Sequence, residues 1–182
     1  AYNYENVRLN KGEIRRKDIV YNYRYAGGDV TIYKMTGKQL KDYMEWAADY
    51  FDTIQPGDTE YRYNDERAGR KYVTFDIFGG VKYKIDLRNE KGNKITNLML
   101  VNGKEITSEM ELKVGMNAYR FEQLARKGGI FDGQEIPVLW ASKEAIGEID
   151  GTIQNMMIDY IKNVKNGIIE GKSHNNWEII GL

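Results

Sequence analysis

The chain has no cysteine and a single histidine, His174, among 182 residues. The first absence removes disulfide frameworks and thiolate chemistry and fits a reducing or an oxidising compartment equally well. The second weakens most hydrolase designs, because metal sites and nucleophile–base triads lean on several imidazoles. His174 lies in the polar stretch SHNNW and is assigned no role. Net charge is absent too: 27 Lys+Arg balance 27 Asp+Glu, so no domain-wide field favours nucleic acid, anionic membrane or polyacidic partners. No run of residues approaches the roughly 20 apolar positions of a membrane span, and no basic-then-apolar N-terminal segment resembles a signal peptide. Phosphate-cradling GxxxxGK[ST], GxGxxG, the GxSxG elbow and metal-spaced His/Asp sets do not occur.

What is present reads as one globular domain over 1–182, with 41% hydrophobic and 30% charged residues. DVTIYKM (29–35) is a strand by its β-branched and aromatic content. TGKQLKDYMEWAADYF then switches to helical spacing, with Leu40, Tyr43, Met44, Ala47 and Ala48 on one stripe and a capping box from Thr36 and Gln39. Residues 52–71 carry Pro56, Gly57, Gly69 and many charges, which predicts an exposed, mobile loop. YVTFDIF (72–78), VKYKIDL (81–87) and KITNLMLV (94–101) predict strands, with Asn102-Gly103 as a type I′ turn. Further strands are expected near 111–118 and 136–141, and NNWEII offers a last short one. Ser142 to Val164 is mostly helical in period, with a stripe of Ile153, Met156, Met157, Tyr160, Ile161 and Val164 that Gly151 can divide. The Met156-Met157 pair reads as core. The sum is an α+β domain, a mixed and largely antiparallel sheet with flanking helices. Asp65-Glu66, Glu109 and Glu111 read as solvated loop acids, not as a catalytic carboxylate pair.

One segment stands apart. MNAYRFEQLARKGGIF (116–131) follows a strand with two aromatics, Tyr119 and Phe121, beside flexible backbone, an arrangement that suits a ligand and suits packing equally. Together with MTGKQLKDYMEW, GGVKYKIDL, ITNL and NAYR in this order, it resembles the C-terminal domain of the 5′-nucleotidase family, which includes the bacterial 2′,3′-cyclic-nucleotide 2′-phosphodiesterase/3′-nucleotidases. The resemblance runs from about residue 10 to 180.

That resemblance implies an N-terminal metallophosphoesterase domain outside this chain, holding two divalent metal ions, and a C-terminal domain that grips the nucleoside or nucleotide. It implies an extracellular, cell-wall or periplasmic location. By motif, the base-sandwiching aromatics fall on Tyr25 and Tyr119, with Asn117, Arg120, Gly128 and Gly129 completing the substrate-binding set. No catalytic or metal-ligating residue, no nucleic-acid partner and no membrane span is expected within the chain. Departures from the family pattern are equally specific. Ala118 replaces the second Asn of N-N-Y-R, FEQLARK intervenes before Gly128-Gly129-Ile130-Phe131, and YAGGDV is about one residue longer than usual. The insertion is expected to extend one pocket wall as a short helical turn, with Arg120 or Arg126 near the ligand. AYNYENVRL (1–9) lacks the N-G-G-G-I-R of the 5′-nucleotidase branch, which tilts the resemblance toward the cyclic phosphodiesterase/3′-nucleotidase branch. The alternatives are the 5′-nucleotidase/UDP-sugar hydrolase branch and a non-catalytic surface module of the same fold. Physically, two aromatic faces about 7 Å apart can hold any base by stacking.

Overall fold

A computed structural model describes residues 9–23, 25–68 and 75–182. In chain order its elements are α1 (Arg16–Asn22), β1 (Val30–Thr36), α2 (Gly37–Ala48), α3 (Asp65–Ala68), β2 (Val81–Asp86), β3 (Ile95–Leu100), β4 (Glu111–Asn117), α4 (Ala118–Ala125), β5 (Val138–Ala141), α5 (Ser142–Ile146), α6 (Ile153–Asp159), a π-helical turn (Tyr160–Val164) and β6 (Trp177–Ile180). The α+β class is as the sequence implies. The strands, however, divide between two three-stranded sheets, ordered β4-β1-β5 and β3-β2-β6. The chain forms two compact units, Ala1–Lys34 with Lys113–Lys172 and Met35–Leu112 with Ser173–Leu182.

In the second unit, Thr36 accepts from the Gln39 N–H at 3.2 Å while the Gln39 side chain accepts from the Thr36 N–H at 2.9 Å, closing the expected capping box at the start of α2. Leu40, Tyr43, Met44, Ala47 and Ala48 are all buried, as their spacing requires. Glu45 on the same helix is buried with them. Its two carboxylate oxygens each accept a backbone N–H, from Lys94 and Ile95, at 2.9 Å. Buried Lys94 in turn donates its Nζ to the Phe51 carbonyl at 2.5 Å. A buried charge is tolerated only with such partners. β2 pairs antiparallel with β3 and parallel with β6, so the C-terminal WEII does become the last strand of a mixed sheet.

Three local expectations change in this unit. Residues 72–74 lie outside the described residues, and 75–78 join no strand ladder. The Asn102-Gly103 turn is not type I′. Only Gly103 has positive φ, at 86°, and the loop is a turn over Val101 and Asn102 closed by Gly103 N–H to Leu100 O at 2.9 Å, with Leu100 N–H to Lys104 O at 2.8 Å. A three-residue hairpin with its glycine in the left-handed region results. The loop after α2 is largely exposed, as expected, but it is anchored at points and not a free excursion. Arg67 is buried, donates to the Trp46 carbonyl at 2.6 Å and lies 4.1 Å from the Trp46 ring centroid, while Tyr63 bridges Phe51.

In the first unit β1 runs antiparallel to β5, Thr31 opposite Ala141. Fully buried Ser142 at the start of α5 accepts from Val30 N–H at 3.0 Å and donates to the Gly151 carbonyl at 2.6 Å. Gly151 does divide the predicted helix, and a Cβ there would lie 2.5 Å from the Ser142 carbonyl oxygen. Beyond it, α6 passes into a π-helical turn closed by Lys165 N–H to Tyr160 O at 2.9 Å. The wider i→i+5 spacing shifts side-chain phase. Tyr160 and Val164 lie exposed, and Met156 and Met157 are half-buried where a core stripe was expected.

Candidate functional site

The strand β4 ends at Asn117, which caps α4. Its extended backbone (φ −63°, ψ 130°) and its side-chain oxygen, accepting from Arg120 N–H at 3.3 Å, satisfy a donor that the first helical turn leaves without a partner. Because a backbone N–H can only donate, the side-chain oxygen must face Arg120, which turns the Asn117 amide nitrogen outward to donate to the Tyr23 hydroxyl.

Starting a helix at Ala118 separates the two aromatics of this segment. Two residues advance about 200° around a helix, so Tyr119 and Phe121 leave on opposite faces. Tyr119 is 58% exposed. Phe121 stacks on buried Tyr33, with ring centroids 3.9 Å apart and planes 18° from parallel, and meets buried Phe131 at 6.2 Å.

Tyr25 opens a turn in which Gly28 N–H donates to the Tyr25 carbonyl at 2.9 Å. Its ring is 47% exposed and meets the edge of Tyr23, centroids 5.8 Å apart and planes at 71°. The turn is fastened at its far end. Gly28 O accepts from Ile153 N–H at 2.8 Å, Asp29 bridges Thr152, and Asp29 O accepts from Ala118 N–H at 3.4 Å. The longer YAGGDV segment is thus accommodated as a closed turn. A Cβ at Gly28 would lie 2.6 Å from the Tyr23 hydroxyl, so a larger residue there would have to displace that ring.

Tyr23 lies at the junction. It is buried, its hydroxyl takes the Asn117 amide, its ring edges Tyr25, and its carbonyl accepts from Gln154 Nε2 at 2.5 Å. Burial pushes the phenol above its ordinary value, opposed by the Asn117 hydrogen bond and reinforced by nearby Tyr25 and Asp29. Tyr23 is therefore protonated at neutral pH. Neither Tyr23 nor Gln154 was singled out from sequence. The only available signal was the alternation YNYRY, in which Tyr21, Tyr23 and Tyr25 look alike.

The other sequence candidates fall elsewhere on α4. Arg120 is half-buried in its first turn, and FEQLA forms its remainder, with Leu124 buried. Arg126 is the exposed C-cap. Gly128 and Gly129 close that end of the helix, roughly 12 Å from Asn117 by helical rise. Gly128 has φ of 77° and donates to Asp132 at 2.8 Å. Gly129 donates to Arg126 O at 2.7 Å, and a Cβ on it would lie 2.2 Å from Leu124 O. Both glycines carry a backbone task that their residue type explains without a ligand.

Among the described residues no group of three or more His, Cys, Asp or Glu side chains is placed to hold a metal ion, and no helix is long and apolar enough to cross a membrane.

A family model described as 5′-nucleotidase, C-terminal domain, matches residues 1–126. The chain is 25% identical to the 2′,3′-cyclic-nucleotide 2′-phosphodiesterase/3′-nucleotidase of Haemophilus influenzae, over 96% of this chain and 27% of that protein. It is 32% identical to the trifunctional nucleotide phosphoesterase of Bacillus subtilis, over 92% of this chain and 11% of that protein. It thus spans well under a third of either relative. Among solved structures, a Staphylococcus aureus protein provisionally named a 5′-nucleotidase superposes with a TM-score of 0.70 at 21% identity, covering 90% of this chain and 29% of that one. The Haemophilus influenzae NAD nucleotidase gives 0.61 at 16%, covering 92% of this chain and 27% of that one. Likeness at these identities speaks to the fold, and with the family match over most of its length the chain belongs to the 5′-nucleotidase C-terminal domain family.

Proposed function

We propose that the chain is the nucleoside- or nucleotide-binding part of a secreted, metal-dependent nucleotide hydrolase of the 2′,3′-cyclic-nucleotide 2′-phosphodiesterase/3′-nucleotidase kind, and that Tyr25 and Tyr119 hold the base by stacking. The observation that supports it most is a pair of exposed tyrosines carried on segments that a single hydrogen-bonded network ties together through Tyr23, Asn117 and Asp29. Large aromatic faces left open on braced backbone suit a planar ligand, because the ordering cost is met on folding and not on binding. The names of the curated relatives point to nucleotides as the ligand class.

In this reading the two divalent ions and the hydrolytic chemistry belong to an N-terminal metallophosphoesterase domain, since the donors described here form no metal cluster. This chain's residues bind and orient the nucleoside. A location outside the cytoplasm belongs to the same reading and rests on the family resemblance; fractionation of the producing cells would test it.

Calorimetric titration with adenosine tests the binding claim. Tyr25→Ala and Tyr119→Ala are each expected to weaken binding by about 1–3 kcal/mol, the value of one stacked base. Unchanged affinity in both variants would remove the stacking role and favour a surface module of the same fold.

A further inference from the structure

Tyr23 occupies a position that the stacking role of Tyr25 and Tyr119 does not itself require. It is buried, yet it is a tyrosine and not a phenylalanine, and its hydroxyl is engaged by Asn117 alone of the residues whose hydrogen bonds are described. The ring meets Tyr25 edge-on at 5.8 Å. The hydroxyl receives the amide of the residue that caps the helix bearing Tyr119. The backbone beside it has been cleared for it: Gly28, on the turn that Tyr25 opens, would bring a Cβ to 2.6 Å from the Tyr23 oxygen and 3.0 Å from its ring. One side chain therefore touches both segments that carry the exposed aromatics. Its own backbone is held in place by Gln154, through the 2.5 Å bond to its carbonyl.

We propose that Tyr23 is a positioning residue for nucleoside binding, a strut whose ring sets the plane of Tyr25 and whose hydroxyl, through Asn117, sets the first turn of α4 and so the place of Tyr119. The inference rests on the stacking reading above. Edge-to-face rings fix relative orientation, and an oriented cap fixes where a helix begins. Removing the hydroxyl leaves the ring contact with Tyr25 but frees the α4 end. Replacing Asn117 with serine keeps a good cap, yet the shorter side chain cannot reach the phenol.

Adenosine titrations of the wild type, Tyr23→Phe, Asn117→Ser and the double variant test the strut at a temperature where all four are folded. Tyr23→Phe and Asn117→Ser are each expected to weaken affinity about 3–10-fold, the range set by loss of one hydrogen bond. The double variant should fall no further than the weaker single, because both remove the same link. A residue serving packing alone would move the melting temperature and leave these affinities unchanged. Wild-type affinity in Tyr23→Phe, or losses that simply multiply in the double variant, overturns the strut. If Tyr25→Ala and Tyr119→Ala lose affinity while Tyr23→Phe does not, only the strut fails. If the wild type takes up no adenosine, the stacking reading fails and the strut with it.

Discussion

Tyr119 and Phe121 show how little the residue type alone decides. Both are aromatics in one polar segment, and a strand continuing through them would have placed them on the same face. Because Asn117 stops the strand and caps α4, the step of two sends one ring outward and the other onto Tyr33. Substitution should separate their roles. Phe121→Ala is expected to cost about 3 kcal/mol in urea denaturation, toward the low end for a large-to-small aromatic change because the ring is half-buried. Tyr119→Ala should shift the same midpoint by about 0.5 kcal/mol or less, as exposed positions do. Equal losses would mean that Tyr119 is packing after all. A sequence motif is enough to nominate Tyr119, whereas nothing near Tyr23 in sequence nominates it, since its hydroxyl meets an amide 94 positions along the chain.

Elements whose determinants are local could be read from sequence, and those decided by distant partners could not. The Thr36–Gln39 box and the buried stripe of α2 need only neighbours within a few residues. The hairpin at 101–103 was misassigned because Asn-Gly suits two loop lengths, and the pairing of Leu100 with Lys104 chooses the longer. Nothing near Glu45 in sequence announces that its carboxylate will cap two backbone donors 49 and 50 residues away. Glu45→Gln offers one good acceptor in place of two, so it should destabilise by roughly 1–3 kcal/mol, the cost of one buried donor left unmet; an unchanged denaturation midpoint would count against the cap. Asp86 at the end of β2 gives a pH-dependent counterpart. Side-chain hydrogen bonds from Arg88, at 2.6 and 2.8 Å, hold its carboxyl below its ordinary 3.8 against a smaller effect of burial. A depressed folded-state value means that the stabilisation is complete above 3.8 and is lost as pH falls through the folded value. The melting-temperature gap between wild type and Asp86→Asn should therefore be widest near neutrality and narrow in acid below 3.8. A gap constant with pH would show that the pair contributes packing and not charge.

At the scale of the molecule, the order of motifs carried the family and the α+β class, while the division into two units left no mark in composition. Two of its three boundaries, between Lys34 and Met35 and between Leu112 and Lys113, fall inside β1 and β4, where no linker can announce them, and the third, between Lys172 and Ser173, falls in an ordinary polar loop. In the proposed function, the labour divides along a different line, between this chain and a metal-bearing N-terminal domain. The chain on its own should hydrolyse neither 2′,3′-cyclic AMP nor adenosine 3′-monophosphate when divalent metal is added, because among the described residues its one histidine and its acids form no cluster to hold and activate a metal-bound water. A metal-dependent rate lost on mutating a residue of this chain would contradict that division. In the longer enzyme proposed above, stacking on the base would lie away from the reacting phosphoryl group and would be as strong in the ground state as in the transition state. Tyr25→Ala and Tyr119→Ala should then raise KM by roughly 5–150-fold, the kinetic counterpart of one lost stack, and leave kcat nearly unchanged. A fall in kcat at constant KM would instead mean that the tyrosines align the nucleotide for reaction, giving this domain a share in the chemical step and not in binding alone.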